Sequence, residues 1–346
     1  MTIDNNNEYD ALLVVSFGGP EGKDDVIPFL ENVLRGKPVP RERMLEVAEH
    51  YYHFEGISPI NQQNRELIAA LENRLKELNV DLPVYWGNRN WHPLLPDTFE
   101  QMKNDGITNA LVFVTSAYSS YSGCRQYREN IQDAQLALGQ DAAVTGKIRV
   151  FYNHPGFVEP MAKYTSDAIA TLSTQSDADV QVIFTAHSIP NSMACNCSYE
   201  AQLTETARLI MDVVGNYSWK LVYQSRSGSP SIPWLEPDVC DYIDQLADET
   251  SKKAIVVVPI GFISDHMEVL FDLDIEAKEK CRSLGIEMAR VPTVGTHPQF
   301  IDMIVELIRE RTDGVERRAL GDLGPSHDVC PQDCCLYTPR RPSSSN

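Results

Sequence analysis

Residues 264–276 read SDHMEVLFDLDIE, and in that run Glu268, Asp272 and Glu276 recur every four residues. On a helix this spacing sets the three carboxylates along one stripe. Val269, Leu270, Phe271, Leu273 and Ile275 crowd the stripe with apolar side chains. Carboxylates in such surroundings are costly unless a proton or a cation neutralises them. The chemistry on offer is transient passage of cations or protons; the ordinary alternative is a solvated acidic face. His266 adjoins the stripe, and a second histidine, His187, lies in AHSIP at the end of an apolar run. A neutral imidazole accepts a proton near neutral pH, although a lone loop histidine more often satisfies nearby carbonyls. Arg89, in GNRNWHP, is suited to pair with a carboxylate ligand or to cap carbonyls. YQSRSGSPSIPW offers Gln224, Arg226 and Trp234 as the rim of a site.

Sulfur supplies a second chemistry. Cys240 and Cys281 stand alone and read as ordinary thiols. The others are grouped: Cys124, the pair Cys195 and Cys197, and the tail trio Cys330, Cys334 and Cys335. Thiolates bind zinc or an iron–sulfur cluster, and either wants four ligands. Cys124, in SYSGCRQY, is a candidate fourth ligand, with Cys195 and Cys197 as competitors. The tail spacing C-x3-C-C fits no common zinc motif. Adjacent cysteines are awkward on one zinc and easier on the two irons of a [2Fe–2S] cluster.

These residues need elements to hold them. Strand-length apolar runs occur at 11–17, 83–89, 109–115, 147–153, 180–188, 219–226 and 253–262. Helical patterns at 65–78, 200–214 and 298–311 lie among them. Buried strands alternating with helices predict an α/β architecture of doubly wound parallel sheets. Ligands in such sheets sit at the carboxyl ends of the strands, where the unusual residues fall. The chain of 346 residues is long enough for two domains. The expected division is 8–152 and 153–295, a helix at 296–312 that could return to the first domain, and a polar, cysteine-containing extension at 313–346 that orders around a ligand. The net charge of −19 argues against a nucleic-acid partner. No run approaches a membrane span, and no basic segment precedes the first apolar residues, so a cytoplasmic protein is expected. SFGGP lacks both GxGxxG and GxxxxGK[ST], which disfavours dinucleotide binding.

Taken in order, LLVVSFGGPEG, HYYHFEGISPINQQN, YWGNRNWHP, TSAYSSYSGCRQYREN, TAHSIP, YQSRSGSPSIPWLEPDV and PIGFISDHMEVLFDLDIEAKE resemble the ferrochelatases, most closely bacterial members of actinobacterial type. The resemblance runs from about Tyr9 to Arg311. It implies two Rossmann-like domains and insertion of ferrous iron into a porphyrin. By that resemblance His187 is the base and a metal ligand, and Glu268 faces it across the porphyrin. Asp265 and His266 flank Glu268, and Asp272 and Glu276 continue a metal or proton path on a helix with π-type widening. Phe17, Arg35, Tyr51, Ser58, Arg89, Tyr121 and Trp234 are the implied porphyrin contacts. Cys124, Cys330, Cys334 and Cys335 are the implied ligands of a [2Fe–2S] cluster. The implied substrate is coproporphyrin III, with protoporphyrin IX next; a monomer is expected. A cobalt or nickel tetrapyrrole chelatase and a non-catalytic porphyrin carrier are the rival readings.

Overall fold

The computed structural model describes residues 9–36, 39–174, 176–227 and 231–337. The first residue of the expected first domain and the last nine of the extension lie outside that set.

Eight strands form two sheets: β1 (Ala11–Ser16), β2 (Val84–Asn88), β3 (Asn109–Val114) and β4 (Val144–Lys147) in one, β5 (Val180–His187), β6 (Ser218–Gln224), β7 (Ala254–Val258) and β8 (Glu287–Arg290) in the other. Their orders are β2-β1-β3-β4 and β6-β5-β7-β8, and every pairing is parallel. The two halves thus repeat one topology. Residues of β1, β5 and β7 are almost wholly buried, because helices cover both faces of each sheet and every side chain meets a layer. This is the α/β architecture expected from the apolar runs.

Three segments depart from the expectation. The run at 147–153 is not a strand: β4 pairs only over 144–147, and Ile148–Asn153 continues as buried irregular chain. Burial supplied the apolar signal there, not pairing. β7 ends at Val258, where Pro259 lacks the amide hydrogen that would extend the ladder. β8 was missed because EMAR is short and has no apolar alternation.

One core joins the halves. It runs from Leu12, Val14 and Phe113 of the first sheet through Phe151, Phe157 and Phe300 to Val182, Phe184 and Val256 of the second. The helix Pro298–Thr312 packs against both Ile60–Glu77 and Pro155–Ala170. The tail is anchored by polar contacts to this core. Arg149, fully buried, binds Glu310 through two hydrogen bonds of 2.7 and 2.8 Å and also donates to Arg318 O at 2.7 Å. Asn153 donates to Leu320 O and Gly324 O at 3.2 and 2.9 Å. The extension, expected to order around a ligand, packs on the core through these contacts over 313–337. The anchors Arg149 and Asn153 lie in the segment mistaken for a strand.

Candidate active site and cysteine cluster

β5 ends at His187, and β7 leads through Gly261 into the acidic segment. Gly261 packs directly on β5: a Cβ there would stand 2.6 Å from Ala186 Cα and Cβ. This close approach sets the two loops side by side. His187 Nε2 lies 3.5 Å from Glu268 Oε2, and both side chains reach solvent, at 32% and 41% exposure. His187 Nδ1 is 2.5 Å from Ser188 O. A carbonyl only accepts, so Nδ1 carries a proton and Nε2 is the ring atom turned toward Glu268. The buried Tyr199 hydroxyl donates to His187 O at 3.1 Å and fixes the strand end. A ring nitrogen and a carboxylate oxygen at this distance are joined only through a proton or a cation between them.

The distance corrects one expectation. A flat macrocycle needs about 3.5 Å of contact on each face, about 7 Å in all. It cannot lie between atoms 3.5 Å apart, so His187 and Glu268 address the same side of any bound ring.

The acidic segment starts as a short helical turn, Met267–Val269, and opens into a π-helix over Leu270–Ala277. π-Turns bond i to i+5 and occur often at functional sites. His266 caps the start: its Nδ1 accepts the Glu268 amide at 3.2 Å, and its ring meets Phe262 edge-on at 4.6 Å. Burial holds its pKa below the usual histidine value, keeping the cap neutral. Asp265 is committed to Arg290 of β8, which donates to both its oxygens at 3.1 Å and to Asp274 at 2.7 Å. Asp265 thus belongs to an ion pair that ties the loop to the π-helix, not to the metal path expected from the sequence.

Asp272 is the perturbed acid. Burial, and then repulsion from Glu268 and Glu276, raise its pKa to about 7, against the opposing hydrogen bonds of Ser225 and Gln224. Gln224 Nε2 donates to its Oδ2 at 3.2 Å and so does the Ser225 hydroxyl. Ser225 sits at φ 61°, a left-handed conformation uncommon for serine, at the end of β6. Burial, and then Asp238, also raise Glu276. The acidic row therefore contains a group that gains and loses a proton near neutrality.

The raised pKa has a stability consequence. Between about pH 4 and about pH 7 the folded chain holds a proton at Asp272 that the unfolded chain releases, so stability falls as pH rises through that window. Asp272→Asn is expected to stabilise the fold at about pH 8 by roughly 2 kcal/mol, discounted for the solvent reaching the site. The difference should fade toward pH 4. Urea denaturation at the two pH values checks this, and equal midpoint shifts at both would contradict it.

The first half closes over the site. Phe29, Tyr51 and Met44 of its helices pack with Met267, with Phe17 and Trp91 beside them. His50 stacks on Phe271 of the π-helix at 3.8 Å and 9°. Tyr51 is buried, and burial, then Glu268, hold its phenol far above the usual value. Arg89 donates to Asn130 Oδ1 at 2.7 Å, with its guanidinium 5.6 Å from the Phe17 ring centroid and 4.8 Å from that of Tyr127. Arg35 is exposed and donates to Asn32. Ser58 is buried against Gly19, and Trp234 is buried beside Pro190. Tyr121 donates to Glu129 at 3.0 Å and packs on Tyr337 of the tail, 5.5 Å between centroids. The sequence did not single out Arg290, Ser225, Tyr199 or His50; their types are common, and only the strand ends and the overlying helix bring them to the site.

The tail cysteines converge on Cys124. Cys124 and Cys330 are near enough to act on each other's thiols: the interaction lowers the Cys330 pKa to about 7 and raises that of Cys124. Cys334 Sγ lies 3.7 Å from Cys335 Sγ. Arg125, beside Cys124, donates to Gln332 O and Cys334 O at 2.7 and 3.0 Å. Cys195 is exposed, and the Cys197 thiol is turned to Met193 O and Ala194 O at 3.4 and 3.6 Å. Thiols are soft donors, suited to a thiophilic metal centre.

Two parallel four-stranded sheets flanked by helices are a fold this chain shares with a solved structure. SirB from Bacillus subtilis shares the fold, with a TM-score of 0.53 and 14% identity over 88% of this chain and 96% of that one. The ferrochelatase family model matches residues 9–312. The chain is 61% identical to a ferrochelatase of Rhodopirellula baltica, covering 96% of this chain and 95% of that protein. It is 48% identical to a coproporphyrin III ferrochelatase of Streptomyces griseus, covering 97% and 96%. The chain belongs to the ferrochelatase family. Among the described residues no helix is long and apolar enough to cross a membrane.

Proposed function

We propose that the protein inserts ferrous iron into coproporphyrin III on the path to haem, with His187 and Glu268 as the reacting pair. The observation that carries this reading is the opposition of the His187 Nε2 and a Glu268 carboxylate oxygen at 3.5 Å. Insertion requires removal of two pyrrole protons and of the water around the cation. His187 Nε2 takes a proton as general base, and the carboxylate offsets the imidazolium charge that results. The same two atoms are close enough to share one ferrous ion, substrate in this reaction, and replace part of its water shell. Asp272, poised near neutrality, passes protons between the pair and solvent by way of Glu276.

Coproporphyrin III is favoured over protoporphyrin IX by the relatives at 48% and 49% identity that carry its name. Arg35, Arg89, Tyr121 and Trp234 are the proposed porphyrin contacts, with Phe17, Tyr51 and Ser58 shaping the wall behind them. Steady-state assay of both porphyrins is expected to give a kcat/KM at least about tenfold higher for coproporphyrin III, since polar groups left without their propionates are costly. An equal or reversed preference would overturn the substrate assignment.

We also propose that Cys124, Cys330, Cys334 and Cys335 hold a [2Fe–2S] cluster, which supplies a rigid cross-link between the tail and the first half. The chain's own contribution is Arg125, which holds the turn carrying the tail cysteines. A monomer in the cytoplasm completes the proposal.

A further inference from the structure

His327 approaches the tail thiols from solvent. Its Nε2 is 3.8 Å from Cys334 Sγ, and the donor atoms of His327, Cys330 and Cys334 all lie within 4.8 Å of one another. With metal bonds of about 2.3 Å to sulfur and about 2.1 Å to nitrogen, a tetrahedral ion sets its ligand atoms about 3.6 to 3.8 Å apart. The His327–Cys334 separation matches such an edge.

The awkwardness of adjacent cysteines is relieved by the backbone. Cys335 has φ 55°, a left-handed turn that a non-glycine residue rarely adopts, and its sulfur comes to 3.7 Å from that of Cys334. Such conformations persist where the surroundings hold them and cluster at functional sites. His327 is also held on both sides. Arg317 donates to Ser326 O and pairs with Asp328 at 3.3 Å, while the buried Glu310 lies 3.8 Å from the Arg317 Nε.

We propose that His327, Cys330 and Cys334 form a three-residue site for a single thiophilic divalent cation, its fourth position left to water, with a ligand set distinct from that of a cluster needing Cys124. The proposal shares thiols with the cluster reading, and the two occupancies exclude each other. The tail then exists in two metal-held forms: one cross-linked to the first half through Cys124, one closed on itself through His327.

The test is anaerobic titration of the reduced, full-length protein with Co2+. A thiolate-to-cobalt charge-transfer band separates thiol-bound metal from the His187–Glu268 pair, which contains no sulfur, and the variants below assign it to this site among the chain's thiols. The band is expected to saturate at one equivalent, to bleach on addition of zinc, and to survive Cys124→Ser. His327→Ala should weaken the affinity about tenfold or more, in the range typical of a lost ligand contact, and Cys334→Ser should remove the band. Absence of the band, its loss in Cys124→Ser, or its indifference to His327→Ala would overturn the proposal. Anaerobic reconstitution with iron and sulfide decides the cluster reading separately: its visible absorption should need Cys124 and survive His327→Ala.

Discussion

His187→Ala is expected to lower kcat by about a thousandfold or more while leaving the dissociation constant for porphyrin within about threefold of the parent. General-base catalysis contributes about 10² to 10⁴, and this residue is also placed to ligate the ion. The side chain reaches solvent at the end of β5 and is not part of the packed core, so the loss should appear in the chemical step and not in folding. His187→Gln keeps a polar group but no basic nitrogen and should be nearly as impaired. Single-turnover kinetics with preformed porphyrin complex separate the step from binding. Turnover near the parent level in either variant would refute the assignment of the base.

Arg149→Met is expected to destabilise the fold by about 3 to 5 kcal/mol. Arg149 and Glu310 are 0% and 2% exposed, and removing Arg149 takes both close hydrogen bonds from the buried Glu310 carboxylate, leaving it only the longer contact with Arg317 at 3.8 Å. The guanidinium also holds Arg318 O, so the tail should loosen with it. The double variant Arg149→Met with Glu310→Gln leaves no stranded charge and should recover part of the loss. Denaturant midpoints at constant m-value give the result. A cost within about 0.5 kcal/mol would mean that the pair does not anchor the tail.

The sequence carried the fold wherever burial on both faces wrote long apolar runs, as in β1, β3, β5 and β7. It carried His187 and Glu268 because motifs in fixed order placed them at strand ends. What it lacked was the relation between elements. The spacing of Glu268, Asp272 and Glu276 reads as an α-helical stripe; the resemblance alone supplied the π-type widening that the chain adopts there, and nothing in the letters announces that burial pushes Asp272 up to about 7. Asp265 looked like a metal ligand because its partner, Arg290, lies on a strand of four residues with no pattern of its own. The side of the ring addressed by His187 and Glu268 depends on a distance that no motif encodes. Likewise, Cys334 and Cys335 come together through a left-handed turn that the letters CC do not announce.

The most direct test of the shared site is an anomalous-difference map from crystals soaked anaerobically in ferrous iron. The pairing of His187 with Glu268 predicts a single peak at the end of β5, about 2.1 Å from His187 Nε2 and at bonding distance from a Glu268 oxygen. Iron held by Asp272 and Glu276 alone, with His187 bound to no metal, would contradict it.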